Sequence, residues 1–275
     1  MGEPMRLAEA NVREEISNLM DLYTGAMNRV VTAYAQRRTR ERDINWVALQ
    51  ATKEFGAMRL HSWLMWKKAK AMDSLDSIRK SSGDSFEEAE HYWGLMKILD
   101  WYLEGKPCDV KEMWGYGDFT DTNGPGEGMK ASLWPESQRY FALAQQQQRE
   151  TQSAWVREFI HTNVEGAAVA FHHLLSLLPA TDEFMKRVAE HERSIADDER
   201  HHGPQMIRQL ARTVPSEKDL DEAEEKLMTL RVQELRQRNE QFLHPLSPAE
   251  MKQLEADFLA RKIAPISLFG AVVAA

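Results

Sequence analysis

Cysteine is nearly absent: Cys108 stands alone in 275 residues. A lone cysteine excludes a disulfide framework and leaves no pair for a rubredoxin-like or iron–sulfur centre, so electrons for any redox reaction must come from outside the chain. Glycine and proline are also scarce, at 14 and 10, and they cluster outside the periodic segments, which favours helix over strand. There is no basic excess, since the net charge is −8, and nucleic acid is not expected as a partner. Long apolar runs are missing. The N-terminus lacks that of a signal peptide, and the terminal run Ile266 to Ala275 is too short to span a bilayer. The expectation is a cytoplasmic protein without a membrane span.

What is present suits a large helical core. The chain is 43% hydrophobic and 28% charged, which predicts a single all-α domain over residues 1–275. Apolar periodicity places a first helix at about 8–40 and a second at about 45–71. Asp84-Ser85 can cap a third that runs to about Leu103. The Gly- and Pro-rich stretch from Cys108 to Glu136 reads as a long crossover. A long helix follows from Pro135 to Leu178, then another from Asp182 to about Arg212. Residues 215–261 read as two additional surface helices.

Against this helical background one pattern recurs. Glu54, His61, Glu88 and His91 return 111 positions later as Glu165, His172, Glu199 and His202. Each half reads Glu-x6-His, then Glu-x-x-His, the pattern of a four-helix bundle holding two metal ions. Residues three apart project from one helix face, so Glu88 with His91, and Glu199 with His202, can each offer a carboxylate and an imidazole to one ion. Glu54 and Glu165 add one carboxylate each from two further helices.

In these residues the chain resembles the ferritin-like di-iron carboxylate superfamily, which includes ferritins, rubrerythrins, ribonucleotide reductase small subunits and bacterial multicomponent monooxygenases. The resemblance covers roughly residues 45 to 213 and implies a ferritin-like four-helix bundle with a dinuclear site, flanked by additional N- and C-terminal helices. It implies six ligands: Glu54, Glu88, His91, Glu165, Glu199 and His202. A carboxylate and imidazole set with open positions suits iron or manganese better than zinc, so two iron ions are expected, with an iron–manganese pair as the variant.

Two features leave alternatives open. Asp198 with His201 is a second acid-x-x-His pair, one residue out of phase with Glu199 and His202. The repeat selects Glu199 and His202, and it also sets Glu87 and Asp198 just before the two ligand glutamates, where the superfamily commonly keeps a partner for the opposite histidine. His61 and His172 stand where ferritins and rubrerythrins often carry a tyrosine. They can hydrogen-bond a ligand carboxylate, ligate metal themselves, or simply be satisfied in the core. The Trp and Met residues at helical spacing read as core packing. Gly166 to Ala170, all small or β-branched, allow either a cavity beside the metals or close helix packing.

The resemblance implies two function classes. One is a non-haem di-iron oxygenase or oxidase that uses dioxygen to oxidise a small organic substrate, with an external donor such as a ferredoxin or flavin reductase. The other is metal handling: ferroxidase, iron storage or peroxide detoxification. The chain is longer than a cage-forming ferritin needs. The missing cysteine motif argues against rubrerythrin-like chemistry, and Leu95, four after His91, stands where a radical-generating reductase places its tyrosine. The oxygenase or oxidase reading is preferred, and a homodimer is expected.

Overall fold

The computed structural model describes residues 9–105, 134–199, 210 and 215–267, leaving out the side chains of 9–13 and 165. Eight helices and no strand lie among the described residues, an all-α fold. They are α1 (Glu9–Gln36), α2 (Arg40–Lys70), α3 (Leu75–Tyr102), α4 (Pro135–Glu150), α5 (Ala154–Ser176), α6 (Glu183–Glu199), α7 (Glu217–Gln241) and α8 (Pro248–Leu259). None is long and apolar enough to cross a membrane.

Hydroxyl caps set several boundaries that periodicity misplaces. Thr39 accepts from the Arg42 amide, so α2 begins before Asn45. Ser74 accepts from Ser77, and α3 starts at Leu75 rather than at the expected Asp84-Ser85 cap. Two of the three serines of 81–85, which look like a break, are satisfied inside the helix pair: Lys68 Nζ donates to Ser81 Oγ at 2.8 Å, and Ser85 Oγ lies 2.7 Å from Ser62 Oγ. The single long helix expected from Pro135 to Leu178 is two. Thr151 bonds back to the Gln147 carbonyl, Ser153 caps α5 through the Val156 amide, and Arg157 donates to the Thr151 carbonyl. Each such cap contributes about 1 kcal/mol, enough to fix a boundary in a chain of uniformly good helix formers.

The residues group into two compact units. One unit comprises 38–142 and 240–243; the other comprises 1–37, 143–239 and 244–275. In the first, α2 and α3 pair antiparallel, with Phe55 against Tyr92 at 5.4 Å and the Ser62–Ser85 contact along the seam. Met72, with φ 55°, lies in the turn between them. Leu49, Phe55 and Trp134 form an apolar cluster completed by Met58, Tyr92 and Phe141.

In the second unit α5 packs on α6 and on α1, and α1 also meets α8, where Tyr23 lies edge-on to Phe258. A Cβ on Gly166 would fall 1.6 Å from Met20 Cε. Met20 therefore fills the space over Gly166, and close packing rather than a cavity explains the glycine. The expectation of a surface helix fails for α7. Leu227, Leu230, Leu235, Arg231, Glu234 and Gln237 are all buried. Its polar sequence hides this because the charges are paired inside: Arg231 bonds Glu234 and the Asn163 carbonyl and lies over the Tyr23 ring at 4.4 Å. Buried charges persist only when so satisfied. The Trp and Met reading also divides. Trp46, Trp134 and Trp155 are in the core, but Trp66, Met72, Trp93 and Trp101 are exposed. The crossover, apart from 134–136, lies outside the described residues, as do positions 268–275 of the terminal run.

Candidate metal centre

Glu54 projects from the middle of α2, and Glu88 with His91 from α3. Ligand atoms of all three lie within 4.8 Å of one another. His91 Nδ1 is 3.7 Å from Glu88 Oε2. The three-residue spacing does what helical geometry dictates, putting the carboxylate and the imidazole on one face. Glu54 and His91 are buried and Glu88 is partly so.

Electrostatics make this arrangement costly without a cation. Burial pushes the Glu88 carboxyl up to about 9; the contact with His91 works against the rise, and neighbouring Glu54 adds to it. Two carboxylates in one dry site either share a proton or share a metal ion, because a divalent cation stabilises both ionised groups and so opposes the rise. A buried Glu-Glu-His group of this kind can hold a metal ion.

A polar chain holds Glu54 in place, and sequence reasoning missed it. Gln50, one turn earlier on α2, donates to Glu54 Oε1. Gln241 Nε2 in turn donates to Gln50 Oε1 at 2.9 Å, and its own Oε1 accepts from Lys53 Nζ at 2.9 Å. Asn45 Nδ2 donates to the Gln241 carbonyl at 2.8 Å. Gln50 was recoverable from its i−4 spacing to Glu54. Gln241 is nearly two hundred positions away and carries no sequence signal.

The second set is described in part. Glu165 lies on α5, with its side chain outside the described residues, and Glu199 is the partly buried last residue of α6. His202 and His201 lie outside the described residues, so both registers stay open.

The two x6 histidines are brought to different partners. His172 Nδ1 lies 2.6 Å from Glu192 Oε2, and both side chains are buried at 4% and 0% exposure. His61 Nδ1 lies 3.7 Å from Asp84 Oδ2, with both side chains more than a fifth exposed. Glu192 is the residue that sequence reasoning overlooked. It sits 111 positions after Ser81, so the repeat itself offers no acid there to notice. Glu87 and Asp198, the acids expected beside histidines, are both exposed.

No family model, curated protein or solved structure matches this chain. The donor set therefore carries the reading.

Proposed function

We propose that this chain is a ferritin-like di-iron carboxylate protein acting as an oxygenase or oxidase on a small organic substrate. The observation that supports the reading is the buried Glu54, Glu88 and His91 group, which assembles the first copy of an internally repeated ligand pattern. By the same spacing, Glu165, Glu199 and His202 are the second copy of the pattern. The mixture of oxygen and nitrogen donors fits iron or manganese.

Iron held by these residues would supply the dioxygen and electron-transfer chemistry. The chain's own residues set its conditions. Glu54 and Glu88 supply negative charge, and Glu88 gives up its proton when an ion binds. Gln50, anchored by Gln241, fixes one oxygen of Glu54 and so limits how far that carboxylate can swing. Leu49 and Phe55, on the helix that carries Glu54, pack with Trp134 into an apolar cluster on its flank. With one cysteine in the chain, turnover draws electrons from an external donor or from the substrate.

Aerobic titration with Fe(II), followed by measurement of particle size, tests the enzyme reading. Uptake saturating near two irons per chain, with reductant-dependent dioxygen consumption, is expected. Sustained uptake of tens of irons per chain into a mineral would establish the storage reading instead.

A further inference from the structure

A face of α3 beside its α2 contacts carries large apolar side chains in solvent. Phe86 is 67% exposed and Trp93 56%. Positions 75, 79, 82, 86, 89, 93, 96 and 100 follow one another at alternating steps of four and three, the spacing of a helix–helix seam. The α2 contacts use the adjoining side of α3, roughly a quarter-turn round the helix, through Ser81, Ser85 and Tyr92. Large and small residues alternate at the centre of the exposed seam: Ser82, Phe86, Ala89, Trp93. The charges on and beside it are of both signs, with Asp76, Arg79, Glu90, Lys97 and Asp100, and the Lys97 ammonium lies 5.7 Å from the Trp93 ring.

From this geometry we propose that the outer face of α3 pairs antiparallel with the same face of a second copy of this chain. A two-fold axis between Phe86 and Ala89 sets Phe86 against the partner's Ala89 and Trp93 against the partner's Ser82. Large residues thereby meet small ones at both layers. The same axis brings Lys97 within one turn of the partner's Asp76, matching opposite charges. A lipid surface or a nucleic acid would call for a predominantly basic face, and this one is balanced. The four rings of such a pair remove on the order of 500 Å² from water, about half of the roughly 1,000 Å² a specific interface needs, and the stems of Leu75, Arg79 and Lys97 extend the contact along the seam. The inference rests on the exposed helix face alone and is independent of the metal reading.

Sedimentation of the full chain from about 1 to 100 μM tests it, across the range where a micromolar pair dissociates. The wild type is expected to move from one chain to two, and F86E and W93E should each weaken the dimer by about 30-fold or more. Both positions are exposed, so helicity by circular dichroism should be unchanged. K97E alone should weaken the dimer, and D76K added to it should restore it, which separates pairing from any folding defect. A single chain at the highest concentration would overturn the proposal. So would a dimer indifferent to W93E, or a monomer that instead sediments with anionic lipid vesicles through Trp93.

Discussion

The two x6 histidines share a spacing and differ in everything around them. His172 is sealed in the interior and bonded to Glu192 at 2.6 Å, whereas His61 is partly exposed and 3.7 Å from Asp84. The position that holds Glu192 in the second half holds Ser81 in the first, and Ser81 is already bonded to Lys68. A sequence repeat thus fixes where a side chain stands on its own helix. Which partner waits on the neighbouring helix is set by a residue that the repeat does not include.

Substitutions can break or sharpen this contrast. The largest expected effect is on metal: Glu54→Ala or His91→Ala should abolish binding of one ion. Gln50→Ala and Gln241→Ala, which loosen Glu54 without removing a ligand, should weaken that ion by about 10–100-fold. Isothermal titration with Mn(II) or anaerobic Fe(II) would rank them, and equal effects from ligand and supporting residues would remove the distinction drawn here.

Next in size is folding stability. Glu192→Ala leaves the buried His172 ring nitrogen without its hydrogen-bond partner and should cost about 1–3 kcal/mol in urea unfolding. Asp84→Ala, at the partly exposed pair, should cost less than about 1 kcal/mol. Equal losses would mean that burial does not distinguish the two histidines.

A pH dependence follows from Glu88. Its carboxyl is raised from the ordinary 4.5 to about 9 in the folded metal-free protein, so the folded state holds more protons than the unfolded one across that window. Stability of the apoprotein should be highest below about pH 4.5 as far as this group is concerned, and its contribution should decline as pH rises toward 9. Glu88→Gln should flatten the dependence in thermal melts between about pH 5 and 9, and saturating metal should abolish it. A slope unchanged by Glu88→Gln would assign it to other groups. Among the smaller effects, Ser74→Ala should cost about 1 kcal/mol by removing the α3 cap.

Much of the helical order was legible because apolar spacing reports the face a helix buries, and Glu88 with His91 was legible because three-residue spacing needs no knowledge of the rest of the fold. The α4–α5 break was not, since Thr151 and Ser153 end and start helices through side-chain bonds that leave the apolar rhythm intact. Nor was the burial of α7. Arg231 reads as solvent-facing until its partners on other helices, Tyr23 and Asn163, are seen. Gln241 and Glu192 were invisible for the same reason: each acts on a residue of another helix.

The central claim is that the repeated pattern holds two ions, one per copy. Iron analysis with Mössbauer spectroscopy on fully reconstituted wild-type, Glu54→Ala and Glu199→Ala proteins tests it most directly. The account predicts two magnetically coupled ions per chain in the wild type and about one uncoupled ion in each variant. One ion or none in the wild type, or two retained in both variants, would contradict it.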